Sequence, residues 1–364
     1  VTEDILPYLP GLDVPFGDID RALGSLWPEP RGDRSGTAAP GRTATMSLIV
    51  VGPPEGLYRT EALIASLGAE PALRAVLVPD AEGEGPVRAR VSVICANAPG
   101  ARMVCTEIVT IDGALRPDFA NNVVASLRLA DLPAMLWWRS SRPIGERVSA
   151  LADRIVLDVD PPAQGWQEAM RLVTSRRPVP VSDVLWAGLT RWRSALADLF
   201  DLPSLGSWID RIDRVTIRAC DPPAGRLFAG WLVSSLGWHV DRAEGRDVLC
   251  RGVSGTVVLR IVESPLGEDA VHRRDGPSFG PPGHLLRSVE VRAGGVVRIR
   301  LQLLPTTGCM RSRADERGRT VVSRVVAAHR PQPQGALQTE LRLRGRDLAF
   351  EAAARSALAL TAAW

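Results

Sequence analysis

The chain has 364 residues, 45% of them hydrophobic, with 10 Trp but only 2 Tyr, which is enough apolar material for two buried cores. All 44 basic residues are arginine, so Schiff-base, pyridoxal-phosphate and P-loop lysines are excluded, as is a Tyr-Lys reductase pair. Formal charge is +3 overall, but it is uneven: residues 1–200 hold 20 Arg against 24 acids and residues 201–364 hold 24 Arg against 17 acids; the usual reading of this mildly basic second half is a solvated surface, and a docking face for an acidic partner is the sharper one.

In chain order, residues 1–27 carry sparse apolar positions ending at Leu23, Leu26 and Trp27 and suit a short docking helix or a disordered extension. Residues 28–41 are rich in Pro, Gly and Arg and read as a flexible linker. Short apolar runs predict strands at 47–51, 75–78, 91–95, 104–110, 134–138 and 155–159, and helical spacing predicts helices at 57–67, 119–129 and 144–151. Continuous apolar strands alternating with helices predict an α/β domain over 42–178 with a mainly parallel sheet covered on both faces.

Residues 166–176 look helical and lead into a strongly patterned helix. Beyond it a strand at 215–220 and an apolar helix at 225–236 precede strands at 248–251, 256–262, 285–292, 296–303 and 321–328. Two closing helices fall near 336–344 and 347–361. Runs of strands between helices predict an α+β domain over 179–364 with a largely antiparallel sheet. The polar stretch 264–283 reads as a long loop. No apolar run reaches the length of a membrane span, because 227–238 is interrupted by Gly230, Ser234, Ser235 and Gly237. The acidic start lacks the layout of a signal peptide, so a cytoplasmic location is expected.

The usual chemical signatures are missing or misplaced. Gly52-Pro53-Pro54 follows the first strand where a dinucleotide fold places its glycine loop, and two prolines remove N–H donors that a pyrophosphate needs. No cofactor is expected. Asp158-x-Asp160 has the form of a metal-holding acid pair, but Pro161 and Pro162 follow it and no further acid cluster is near, so it reads as a strand-ending cap and no metal is expected. His239, His272, His284 and His329 form no triad pattern. Gly276-Pro-Ser278-Phe-Gly280 lacks the strand and helix of a nucleophile elbow. Cys95, Cys105, Cys220, Cys250 and Cys309 make no Cys-x-x-Cys, and the first four lie in apolar runs, which predicts buried free thiols. No dense basic run interleaved with aromatics points to nucleic acid.

Trp137-Trp138-Arg139 ends a predicted parallel strand, at the edge where open α/β sheets gather ligands and partners. Adjacent strand residues point to opposite faces, so the two Trp cannot share one role. Both can pack under helices, or one of them with Arg139 can form a contact surface of the kind enriched in Trp and Arg. Arg139 and Arg142 can alternatively serve as anion ligands.

The stretch 183–201 is the most informative. Leu185, Leu189, Trp192, Leu196 and Leu199 fall on one helical stripe, Ser182 or Asp183 can cap the start, and Pro203 stops the end. Arg191, Ser194 and Asp198 lie opposite the stripe, and Trp186 and Arg193 share a side seven residues apart, a spacing that a fully extended Arg can bridge as a cation–π contact. The pattern Asp183-x-x-Trp186-x-x-x-Thr190-x-Trp192-Arg193-x-x-Leu196 resembles the signature of the OpcA family, the glucose-6-phosphate dehydrogenase assembly proteins of bacteria. Leu132-Pro133 running into the Trp pair, Asp153-Arg-Ile-Val-Leu-Asp158, and the stretch 339–353 are similar to further blocks of that family, in family order, over roughly 45–360.

The resemblance implies a non-catalytic assembly factor and activator that binds glucose-6-phosphate dehydrogenase and favours its active form. Its partner would be that enzyme, with no nucleic acid and no membrane. The residues expected at a partner surface are Trp137, Trp138, Arg139, Arg142, Trp186, Arg191 and Arg193. The alternative is an enzyme or sensor that binds a sugar phosphate or nucleotide at the carboxyl edge of the first sheet.

Overall fold

The computed structural model describes residues 11–27, 44–67, 72–81, 83, 86–98, 102–113, 117–140, 142–158, 163–175, 179–264, 285–304, 307–328, 333–343 and 345–363. The chain forms two compact units. The first comprises residues 1–160, 178–181 and 332–345, and the second residues 161–177, 182–331 and 346–364. The partition therefore departs from a single cut at residue 178: a segment near the C-terminal end returns to the first unit.

The first unit contains strands β1 (Leu12–Pro15), β2 (Met46–Gly52), β3 (Leu73–Pro79), β4 (Arg88–Ala98), β5 (Arg102–Asp112), β6 (Ala134–Trp138), β7 (Arg154–Leu157) and β8 (Val181–Asp183), the last reaching the unit boundary. Their order in the sheet is β1-β4-β5-β3-β2-β6-β7-β8. Neighbours from β5 through β7 are parallel, while β4 joins β5 and β1 joins β4 antiparallel. The sheet is thus mixed, with a parallel centre and an antiparallel flank. Leu48, Ile49, Val50, Val76, Leu77 and Leu136 are fully buried. This is why the central strands read as continuous apolar runs: both of their faces are covered.

Helices α1 (Ile19–Leu26), α2 (Pro54–Ser66), α3 (Pro117–Leu127) and α4 (Glu146–Ser149) belong to this unit. Residues 12–26 are therefore integral to the sheet rather than a free extension. Leu12 to Pro15 pair in register with Val91 to Arg88, and α1 buries Ile19, Ala22 and Leu23. A buried pair, Arg74 Nε to Glu107 Oε2 at 2.6 Å, also anchors this corner, because Glu107 accepts from the indole of Trp27 at 2.9 Å.

Cys95 and Cys105 stand opposite each other in the β4–β5 register and are joined as a disulfide. This corrects the expectation of four buried free thiols. Each strand read separately looks apolar, and only the pairing brings the two sulfurs together. Cys220, Cys250 and Cys309 are free, and burial pushes the thiols of Cys220 and Cys250 up to about 11. Alkylation of the denatured, unreduced chain should label the three free cysteines and reach all five after reduction. Five labels before reduction would contradict the pairing. In the folded chain Cys250, with no exposed surface, should label slowest.

The second unit contains α5 (Ala163–Thr174), α6 (Val184–Gly188), α7 (Thr190–Phe200) and α8 (Pro203–Gly206), then β9 (Ile212–Ala219) and α9 (Pro222–Ser235). Seven further strands follow: β10 (His239–Glu244), β11 (Asp247–Gly252), β12 (Gly255–Glu263), β13 (Leu286–Ala293), β14 (Val297–Leu304), β15 (Cys309–Glu316) and β16 (Arg319–Ala327). The sheet order is β10-β11-β12-β9-β13-β14-β15-β16, antiparallel except where β12 meets β9. Burial alternates residue by residue along β14 and over most of β13 and β15, so one sheet face is core and the other faces solvent.

The two closing helices divide between the units. Helix α10 (Pro333–Arg342) lies with the first and α11 (Leu348–Ala363) with the second. Helices α9 and α11 approach so closely that a Cβ on Gly230 would sit 2.2 Å from the Ala353 carbonyl oxygen. Ala353, Ala354 and Ala357 present the matching small surface and are fully buried.

Candidate functional site

Because β2, β3, β6 and β7 are parallel, their carboxyl ends share one edge of the first sheet. The residues just past those ends are held by the strands' own carbonyls. Arg139 N donates to Val51 O at 2.7 Å, Asp80 N to Gly52 O at 2.7 Å, and Asp158 N to Trp138 O at 2.8 Å. Arg139 is thereby aimed at Asp158 (Nε to Oδ2, 3.1 Å) and Thr60 (Nη1 to Oγ1, 2.7 Å). Its guanidinium lies 5.0 Å from the Trp137 ring centroid. A Cβ on Gly52 would meet the Arg139 Cβ at 3.2 Å, so the glycine keeps this approach open. Arg142 pairs with Asp80 at 3.3 Å, and Ser140 donates to the same carboxylate.

The two Trp do diverge as strand geometry requires. Trp137 faces Arg139, whereas Trp138 donates through Nε1 to the Arg142 carbonyl at 3.0 Å. They are only 3% and 6% exposed. A buried indole offers a partner no face, so neither Trp is a surface contact in this structure. Arg139 is largely enclosed, while Arg142 keeps 47% of its side chain exposed. The edge brings Arg139, Arg142, Asp80 and Asp158 together, but each guanidinium is opposed by a carboxylate. An incoming anion would have to displace an existing charge-assisted bond. Asp160, His272, Ser278, His284 and His329 lie outside the described residues, and His239 is exposed on β10. Among the described residues no group of His, Cys, Asp and Glu is arranged to hold a metal ion.

The signature stretch resolves into α6 and α7, meeting at Leu189. All five stripe residues are buried, from Leu189 at 0% to Leu185 at 8% exposure. Asp183 Oδ1 accepts from Leu185 N at 2.6 Å, which is the cap the sequence suggested. Trp186 is buried, packs against Phe350 with centroids 5.7 Å apart, and donates to Asp347 at 2.7 Å. Arg193 lies 3.2 Å from the Trp186 ring centroid and donates to Thr190 Oγ1 at 3.0 Å. Burial lowers the Arg193 guanidinium to about 10, with Asp347 pulling the other way.

Every letter of the signature therefore has an internal task. Asp183 caps, Trp186 and Arg193 stack, Thr190 receives the guanidinium, and Trp192 and Leu196 fill the core. Of the residues expected at a partner surface on these helices, Trp186 and Arg193 are used inside the second unit and Arg191 is exposed. What the sequence reading missed is the role of Phe350 and Asp347. Nothing local to 183–201 signals them, since they join the cluster from more than 150 residues away.

Fold and polar groups together define a two-unit α/β chain whose motif residues organise packing. Two family models match it side by side: the glucose-6-phosphate dehydrogenase subunit N-terminal domain over residues 65–174 and the corresponding C-terminal domain over residues 179–354. The chain belongs to the OpcA family. Curated relatives named putative OxPP cycle protein OpcA include one from Synechococcus elongatus, 25% identical over 76% of this chain and 64% of its own length. Another, from Nostoc punctiforme, is 29% identical over 43% of this chain and 36% of its own. The matches thus span about one third to just under two thirds of the relatives' length. A solved oxidoreductase from Sinorhizobium meliloti is similar over 88% of this chain and 90% of its own at 13% identity and a TM-score of 0.43.

Proposed function

We propose that this chain is a non-catalytic partner of glucose-6-phosphate dehydrogenase that binds the enzyme and favours its active form. The observation that carries the reading is the pair of adjacent family models, one on each half of the chain. Two further features support it. The chain has no lysine for covalent or phosphate chemistry, and the arginines at the first sheet's carboxyl edge are already matched by Asp80 and Asp158. That matching also weighs against a sugar-phosphate or nucleotide site there. Physically, a protein that binds one conformation or oligomer of an enzyme more tightly than another shifts the population toward it, by no more than the difference in affinity.

The test is an activity titration of the cognate dehydrogenase with increasing chain. Saturable activation is expected, and the chain alone should leave glucose-6-phosphate and NADP unchanged. NADPH production by the isolated chain, abolished by a substitution in it, would overturn the non-catalytic reading. Absence of both binding and activation would overturn the partnership.

A further inference from the structure

We infer that the solvent face of the second sheet is a docking surface for an acidic protein surface; on the reading above, which this inference rests on, that surface belongs to the dehydrogenase. The inner face of this sheet is apolar, built from residues such as Val215, Ile217, Val289, Ile299 and Leu301, all fully buried. The alternate residues of the same strands point outward, and there arginine is the most frequent side chain: Arg214 and Arg218 on β9, Arg292 on β13, Arg298 and Arg300 on β14 and Arg311 and Arg313 on β15, with Thr216, Ser288 and Gln302 among them.

The strand register makes this arrangement costly. Arg214 stands opposite Arg292, Arg292 opposite Arg298, and Arg300 opposite Arg313. Like charges directly opposite on neighbouring strands destabilise a sheet. The acids on the outward positions of β9 and β13 to β15 are Glu290 and Asp315, and each holds two arginines. Glu290 takes Arg292 at 2.8 Å and Arg298 at 2.6 Å, and Asp315 takes Arg313 at 2.7 Å and Arg300 at 3.3 Å. Two guanidinium groups on one carboxylate leave net positive charge, fixed in orientation. Side chains already ordered lose less freedom when a partner arrives.

The chemistry favours a protein over a nucleic acid. Glu290 and Asp315 sit inside the arginine lattice and would repel a phosphate backbone. The outward positions of β9 and β13 to β15 carry no aromatic side chain for base stacking. The neighbouring edge strand β16 instead exposes Val321 and Val325, at 40% and 59%. Arginine beside small apolar patches is the composition of a protein interface, and complementary charge steers and orients the encounter.

The test compares the wild type with Arg218→Glu/Arg311→Glu, which reverses two exposed charges of this face. A control, Arg171→Glu/Arg355→Glu, makes the same change in net charge on the exposed sides of α5 and α11. Circular dichroism and thermal melts first establish that both variants are folded. Binding to the cognate dehydrogenase is then measured between about 50 and 300 mM salt. The expected result is a loss of affinity of at least about tenfold for the sheet variant, a shallower salt dependence, and a control close to wild type. Equal affinities for wild type and sheet variant, or equal losses in sheet variant and control, would overturn the assignment while leaving the partnership intact. A wild type that does not bind the enzyme overturns both. Tighter binding of a short duplex DNA than of the dehydrogenase, abolished by the sheet variant, would show that the face serves nucleic acid instead.

Discussion

Trp192→Ala is expected to lower the unfolding free energy by about 3–5 kcal/mol. The indole is 3% exposed, and its neighbours on the stripe, Leu189, Leu196 and Leu199, are 1% exposed or less. Truncation removes a large apolar volume from a site whose surroundings are two short helices fixed at both ends. Asp183 caps α6, and Pro203 opens the next helix just beyond α7. Such a site collapses poorly around a void, which places the cost toward the upper part of that range. Arg191→Ala, one residue away on the exposed side, should change stability by only about 0.5 kcal/mol. Denaturant melts of the two variants check this. Similar small effects would mean that α7 is not packed through its leucine stripe.

Breaking the Arg154–Glu340 pair is expected to cost a similar amount, about 3–5 kcal/mol for either single substitution to alanine. Both side chains are buried, at 8% and 4% exposure, with Nη2 and Oε2 2.9 Å apart. Arg154 also donates through Nη1 to the Gly345 carbonyl at 2.8 Å. Removing Glu340 takes from the buried Arg154 guanidinium its carboxylate partner, removing Arg154 takes from Glu340 a buried charge-assisted bond, and in each case that penalty dominates. Replacing both by apolar residues of similar size, Arg154→Met with Glu340→Leu, should recover much of the stability, because the two buried charges are removed together. A double variant as unstable as the two single losses added together would refute the coupling.

Features encoded within one element were legible in the sequence. The apolar runs at 47–51, 75–78 and 134–138 announced buried central strands, and the stripe from Leu185 to Leu199 announced a packed helix with its cap. The runs of strands at 285–292 and 296–303 announced a largely antiparallel sheet. Features created by pairing across the chain were not. Residues 12–15 look like part of a polar extension until Leu12 meets Val91 across the sheet. Cys95 and Cys105 look like two independent core residues until the hairpin aligns them. Trp137 and Trp138 read as candidate hot spots because Trp suits both cores and interfaces, and only burial separates the two. The arginines of the second sheet showed in the sequence as a diffuse charge excess. Register turned that excess into a face.

The return of residues 332–345 to the first unit has a bearing on how the protein is made. Strand β7 leaves the ribosome well before helix α10, since Arg154 and Glu340 are 186 residues apart. Throughout that interval the nascent first unit carries a buried-type arginine without its counterion, and the surface that α10 later covers stays open. Long-range closure of this kind is slow compared with local helix and hairpin formation. The early half of the chain therefore waits, incomplete and adhesive, for a segment not yet translated. Its yield in the cell should depend on how well that waiting state is shielded.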